Sequence, residues 1–210
     1  MKIPGTLYII SAPSGGGKTS LVNALLESVS NLEVSISYTT RAPRPGEKEG
    51  VDYHFVDEAQ FKRFKKKQAF LEDATVFGHY YATSVTWVTK KIEAGIDIIL
   101  EIDWQGARQI REKMPESIGI FIIPPSWETL EKRLRLRAQD EESVIKKRMA
   151  DAKAELEHFD EYDYLILNDN FSNALADLNA ILRVRRLRSG IQKRELAPLL
   201  KDLLKQPFSN

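Results

Sequence analysis

Residues 6–19 read TLYIISAPSGGGKT, and the fold follows from how this stretch is read. Thr6 to Ser11 is a short apolar, β-rich run ending in a Pro/Gly/Ser turn, and from Thr19 to about Val29 apolar residues recur at Leu21, Val22, Leu25, Leu26 and Val29 with helical spacing. The order is strand, glycine loop, helix. Between them, Ala12-Pro13-Ser14-Gly15-Gly16-Gly17-Lys18-Thr19 fits the phosphate-binding pattern GxxxxGK followed by Ser or Thr, with Ala12 in the place of the first glycine. Backbone N–H groups converge on a phosphate only where side chains do not obstruct them, which Gly15, Gly16 and Gly17 allow, and the next helix adds its positive end. Lys18 reaches the β- and γ-phosphates as a point charge, and the hydroxyl of Thr19 is placed to ligate Mg2+. Residues Ala12 to Ser20 are therefore the expected loop for the phosphates of a nucleoside triphosphate.

Further apolar strand candidates are Gly95 to Ile102, Ile118 to Ile123 and Tyr164 to Leu167, each followed by a turn and a helical pattern. Such unbroken runs suit strands buried on both faces. Helix starts are signalled by Ser126 after Pro124 and Pro125, and by Asn170 or Ser172. Two segments break the alternation. Residues 37–83 read as short polar-aromatic strands with one helix, Glu58 to Lys67, capped by Asp57 with Gln60 completing a capping box. Arg133 to Arg148 reads as a charged helical flap without an apolar stripe wide enough to pack. The expected fold class is α/β: a parallel-sheet P-loop core with helices on both faces, an inserted small α+β lobe, which the resemblance given below makes the nucleotide-monophosphate-binding lobe, and a helical flap, which it makes the lid. The expected division is core 1–36, 89–130 and 150–210, lobe 37–88 and lid 131–149, with residues 190–210 a weakly anchored helical tail.

The chain has 210 residues, with 31 Lys and Arg against 30 Asp and Glu and a formal charge of +1. Near-neutrality argues against partners held by bulk charge, so neither nucleic acid nor membrane is expected. Hydrophobic residues make up 42% and charged residues 29%, which excludes disordered and fibrous classes. The lack of cysteine excludes disulfides, thiolate metal sites and a cysteine nucleophile. With no secretory leader and no apolar run of about 20 residues, a soluble cytoplasmic protein is expected. His54, His79 and His158 show no metal spacing. The arginines at 183–188 read as a solvated helix end, and association into a homo-oligomer stays open.

A P-loop alone does not name a reaction. GTPases read guanine with NKxD, and the nearest string, Asn168-Asp169-Asn170, lacks the lysine, so a GTP switch is disfavoured. In Ser37-Tyr38-Thr39-Thr40-Arg41-Ala42-Pro43-Arg44-Pro45-Gly46-Glu47, two arginines three apart are stiffened by Pro43 and Pro45. Guanidinium forks held that way suit a phosphate monoester. RxxR by itself reads first as a solvated turn. Asp103 stands at the carboxyl end of a buried strand, where ligands bind in open α/β sheets.

Taken with the P-loop, TTRAPRPGE, DYHF at 52–55, GHYYAT at 78–83 and EIDWQG at 101–106, the chain resembles the guanylate kinase family from about Gly5 to Arg188. The resemblance implies transfer of the γ-phosphoryl group of ATP to GMP with Mg2+, in purine nucleotide metabolism. It implies that Arg41 and Arg44, with hydroxyls of Tyr53 and Tyr81, hold the GMP phosphate. It further implies that Glu72 and Asp103 accept guanine's N1–H and 2-amino protons, with Ser37 and Thr83 near O6. Arg133, Arg137 and Arg148 match the family's lid arginines, Asn168 its adenine position, and Glu101 its acidic position near Mg2+, reached through water. This sequence departs from the family glycines at Ala12, Ala82, Leu136 and Ala138. Two rival readings are a silent module of the same fold that binds protein partners, and a kinase for another nucleoside monophosphate.

Overall fold

Leu7–Ser11 (β1) is the central strand of a five-stranded sheet, and the glycine loop carries the chain directly into α1 (Lys18–Ser28). The computed structural model describes residues 3–76, 78–137 and 142–205, without the side chains of Arg137 and Ser143. The chain continues through β2 (Leu32–Val34), β3 (Tyr38–Thr39), β4 (His54–Phe55), α2 (Glu58–Lys66), β5 (Phe70–Val76), β6 (His79–Ser84) and α3 (Val85–Glu93). It then forms β7 (Asp97–Glu101), α4 (Trp104–Lys113), β8 (Ile118–Ile123), α5 (Trp127–Arg137), α6 (Glu142–Leu156) and β9 (Tyr164–Leu167). Helices α7 (Phe171–Arg186), α8 (Ser189–Glu195) and α9 (Ala197–Leu203) complete it.

The main sheet has the order β2-β7-β1-β8-β9 with every pairing parallel. One face packs Tyr8, Ile10, Ile99 and Ile120 against Leu21 and Leu25 of α1 and Leu178 of α7. The other packs Ile9, Ile98, Leu100 and Phe121 against Val88 of α3 and Ile110 of α4. Burial on both faces is why β1, β7 and β8 carry no polar alternation. The carboxyl ends of these strands share one rim, and the glycine loop opens there.

Residues 38–84 hold a second sheet, β4-β3-β6-β5, in which β5 is an edge strand. Its helix α2 starts as the sequence predicts: Asp57 accepts from the Gln60 N–H and Gln60 accepts from the Asp57 N–H. Phe61 of that helix is buried against Phe70 and Tyr80. Ser126 and Asn170 cap α5 and α7 by accepting from the N–H groups of Thr129 and Asn173, whereas Ser172 lies inside its helix.

Several expectations change. The charged stretch from Arg133 to Arg148 does pack: Leu130 and Leu134 of α5 meet Ala152 of α6 in a small buried cluster. A one-residue-per-turn stripe suffices between two helices, and flanking arginines and lysines hide it in the sequence. Residues 138–141, in the middle of the expected flap, lie outside the described residues. β9 is not buried on both faces. It is the sheet's edge, Ile166 faces the core, and Leu165 and Leu167 are 48% and 50% exposed. The 88/89 division falls inside α3, whose Val88 packs on the main sheet. Neither β2 nor α3 is foreseen, because three residues give no period and VTWVT carries strand-like composition. Helices α8 and α9 bury no residue, as expected of the tail. Among the described residues, no helix is long and apolar enough to cross a membrane.

Asp97 joins the two ends of the core. Its Oδ1 accepts from the Thr6 N–H at 2.7 Å and its Oδ2 from Arg186 Nε at 2.8 Å. Asp97→Ala leaves a buried donor unpaired and is expected to lower the unfolding free energy by about 2–3 kcal/mol. Urea denaturation checks this, and a loss below about 1 kcal/mol would remove Asp97 from the list of structural anchors.

Candidate active site

The loop between β1 and α1 is bare of long side chains, and its shape is held from outside. Gly17 has φ 93°, and a Cβ there would stand 2.3 Å from Asn168 Nδ2, so conformation and space both demand glycine. The Gly16 carbonyl accepts from Asn168 Nδ2 at 2.8 Å and from Arg133 Nη1 at 3.5 Å, while Arg133 Nη2 donates to the Asn168 carbonyl at 3.3 Å. Asn168 is buried at 3% exposure, so the structure places this residue as a brace beneath the loop. Pro13 is buried, its carbonyl accepting from the Gly16 N–H, and Ala12 packs its methyl on the core cluster under α1. Lys18 opens α1, and Ser20 is exposed on its first turn. Thr19 Oγ1 donates to Glu101 Oε2 at 3.1 Å, bringing the two expected metal-side oxygens together at the rim.

Glu155 of α6 is a site residue that the sequence does not announce. Its Oε2 accepts from the Ser14 N–H at 3.0 Å. Burial pushes its carboxyl up to about 7; Lys18 and the Ser14 N–H pull it back, while Asp103 and Asp151 add to the rise. A single acid on a helix as charged as α6 reads as solvated, which is why it escapes notice.

The second anion pocket is built around Arg41. Its Nη2 donates to Glu47 Oε1 at 2.8 Å, and Glu47 Oε2 accepts from the Arg44 N–H at 2.7 Å, so Glu47 ties both arginine positions into one turn. The Arg41 guanidinium lies 5.2 Å over the Tyr53 ring, and Tyr53 meets Tyr81 edge-on at 6.0 Å. Burial pushes the Tyr53 hydroxyl upward, which keeps it a neutral donor. A cleft of about 460 Å³ opens here, with Arg41, Arg44, His79 and Tyr81 on one wall and Lys147 and Arg148 of α6 on the other. His79 and Lys147 join the site unforeseen, because only the folded chain brings β6 and α6 to the same opening. The side chain of Arg137, the third expected lid arginine, lies outside the described residues.

Beyond the arginines, Glu72 on β5 is buried at 2% exposure, and its Oε1 accepts from Thr83 Oγ1 at 2.6 Å. Burial pushes its carboxyl up to about 7; the Thr83 hydroxyl opposes this, and Asp103 and Asp73 reinforce it. Asp103 caps α4, its Oδ1 accepting from the Gly106 N–H at 3.0 Å and its Oδ2 from Gln105 Nε2 at 3.0 Å. Ser37 leads into β3, its carbonyl accepting from the His54 N–H, and Ala82 is fully buried opposite Tyr38. The Glu72 and Asp103 carboxylates thus both contact Gly106, and the Thr83 hydroxyl is bonded to the first of them.

Helix α6 spans both pockets. Arg148 lines the arginine cleft, and Glu155, two turns further on, touches the glycine loop, a separation of about 10 Å along the axis. The arrangement is chemically a pair of neighbouring cationic openings, the glycine loop with Lys18 and the cleft lined by Arg41, Arg44 and Arg148.

Comparison with known proteins places the chain in a family. A family model described as guanylate kinase matches residues 4–185. The guanylate kinase of Alkalilimnicola ehrlichii is 54% identical over 202 residues, covering 96% of this chain and 100% of that one. That of Legionella pneumophila (strain Paris) is 54% identical over 200 residues, covering 95% of this chain and 96% of the relative. The crystal structure of guanylate kinase from Anaplasma phagocytophilum superposes with a TM-score of 0.76 at 35% identity, covering 90% of this chain and 89% of the other.

The raised carboxyl of Glu72 has a consequence for stability. Between the ordinary carboxylate value of 4.5 and about 7, the folded chain holds a proton that the unfolded chain has lost, so stability falls as pH rises through that window. Glu72→Gln removes this cost while keeping an acceptor for Thr83. It is expected to stabilise the fold by up to about 3 kcal/mol above neutrality and to change little below the window. Denaturant unfolding of both proteins across pH checks it, and parallel curves would contradict the buried-charge assignment.

Proposed function

This chain belongs to the guanylate kinase family and transfers the γ-phosphoryl group of ATP to GMP, giving ADP and GDP; we propose that its two anion pockets hold the two nucleotides face to face for direct transfer. The observation that carries this arrangement is α6, which sets Arg148 opposite Arg41 and Arg44 and, two turns on, Glu155 against the loop beside Lys18.

In this reading ATP lies on Ala12 to Ser20, its phosphates met by the N–H groups of Gly15 and Gly17 and by Lys18, with Gly16 leaving the approach bare while its own N–H holds the Pro13 carbonyl. Asn168 braces that loop through Gly16 and marks the adenine end of the site. GMP enters the other pocket with its phosphate on Arg41 and Arg44 and on the hydroxyls of Tyr53 and Tyr81. Its base reaches Ser37, Thr83, Glu72 and Asp103. A carboxylate accepts from both the N1–H and the 2-amino group of guanine. Adenine offers an acceptor at N1 and no 2-amino group, so AMP leaves buried charge unpaired.

Phosphoryl transfer asks the protein for position and positive charge rather than covalent help. Lys18, Arg41, Arg133, Arg137 and Arg148 supply that charge around the moving group. The two oxygens of Thr19 and Glu101, 3.1 Å apart, suit a hard cation such as Mg2+ held by Thr19 directly and by Glu101 through water. When bound, Mg2+ would neutralise charge on the β- and γ-phosphate oxygens. The lobe around β3 to β6 and the lid expected over residues 131–149 would close over both substrates and exclude water.

Because guanine is read by an ionised Glu72, GMP binding expels the proton that burial favours, and GMP affinity is expected to fall as pH is lowered below about 7. Glu72→Gln should raise the KM for GMP about tenfold or more and narrow the preference over AMP. Equal KM and equal preference would overturn the role given to Glu72. Lys18→Ala should lower kcat by about 100-fold or more without altering the melting temperature. An ADP-release assay with ATP, Mg2+ and GMP reads all three, and an unchanged rate in Lys18→Ala would contradict the loop assignment.

A further inference from the structure

Helix α4 does more than follow Asp103. Along one face it presents Gly106, Gln109 and Lys113 to β5, the edge strand of the small sheet. An edge strand leaves alternate N–H and C=O groups without a ladder partner. Here α4 supplies the partners. Gln109 Oε1 accepts from the Asp73 N–H at 3.1 Å, and Gln109 Nε2 donates to the Asp73 carbonyl at 2.6 Å. Lys113 Nζ donates to the Leu71 carbonyl at 2.5 Å. The two clamped residues flank Glu72. On the other side of β5, pairing with β6 shifts register between Phe70 and Glu72, so that ladder does not by itself fix the strand at this point.

The carboxylate of Glu72 is confined just as closely. Thr83 holds Oε1. Oε2 lies against bare backbone: a Cβ on Gly106 would stand 2.6 Å from Oε2 and 3.2 Å from Cδ of Glu72. The N–H of the same Gly106 donates to Asp103 Oδ1. One residue of α4 therefore touches both carboxylates, and it brings no side chain between them.

We propose that Gly106 and Gln109 are positioning residues for guanine selection, Gly106 by leaving room for the Glu72 carboxylate beside Asp103 and Gln109 by clamping the strand that carries it. This rests on the reading of Glu72 as the base-reading group. Neither residue touches substrate. Their effect passes entirely through where Glu72 stands.

Gly106→Ala is a clean probe, because alanine favours a helix interior over glycine and the Glu72 carboxylate is the tightest obstacle to the added methyl. With ATP saturating, its KM for GMP is expected to rise about tenfold or more, and its KM for ATP to stay within about twofold of the parent. Gln109→Leu keeps apolar bulk but loses both bonds to Asp73, and is expected to raise the KM for GMP several-fold with the same split. In a Glu72→Ala background, Gly106→Ala should add nothing to the KM for GMP, since the group it displaces is gone. A Gly106→Ala enzyme that melts like the parent and keeps its KM for GMP would overturn the proposal. So would a parallel rise in the KM for ATP, or the same added cost without the Glu72 carboxylate. Should Gly106→Ala fail to fold, the Gln109→Leu split decides alone. Glu72→Ala with unchanged KM for GMP would instead bring down the base-reading assignment, while a loss in Glu72→Ala without one in Gly106→Ala or Gln109→Leu brings down only the positioning.

Discussion

A loop of three successive glycines has few side chains with which to hold its own shape. The segment between β1 and α1 is in that position, and its rigidity is borrowed. Asn168 comes from the end of β9, Arg133 from α5 and Glu155 from α6, and each bonds the loop from a distant part of the chain. The cost of a glycine-rich anion cradle is thus spread over three elements, which gather at the carboxyl rim of the sheet. The helices of the lid region are part of that support, which explains why α5 and α6 carry a small apolar seam despite their charge.

The same economy governs the charges. Glu72 and Glu155 are both acids held near 7 by burial, each facing the place where a ligand group is expected. A carboxylate kept short of solvent and partners is poorly stabilised in the empty site and gains from a donor that arrives. Arg41 is treated differently, with Glu47 holding its fork in place before any phosphate comes. Arg41 is therefore paired by a carboxylate, whereas Glu72 is held mainly by a hydroxyl and by the bare backbone of Gly106.

Much of this was legible in the sequence, for local reasons. The P-loop spacing, the buried runs of β1, β7 and β8, and the Asp57/Gln60 box each specify their structure within a few residues. The matching strings around Arg41, Tyr81 and Asp103 carry the family resemblance, which the family match bears out. What escaped is what depends on distance in the chain. Glu155 and Lys147 look like any other charge on α6 until the fold sets one against Ser14 and the other across from Arg41. Asn168 reads as the family's adenine position, and only the packed structure puts its amide on Gly16. β9 was misjudged because four apolar residues do not say whether a second layer covers them, and at the edge of the sheet only Ile166 is covered. Gly106 stood in a quoted motif, but the neighbour that needs its bareness lies 34 positions away in the chain.

Helices α8 and α9 bury nothing, and isolated helices of seven residues are marginal in water. Their opening costs little of the free energy that holds the sheet together. A protease should therefore nibble this protein from its carboxyl end first, and trimming there would leave the catalytic machinery whole. That stretch is also where a fused tag, or evolutionary drift, meets the least resistance.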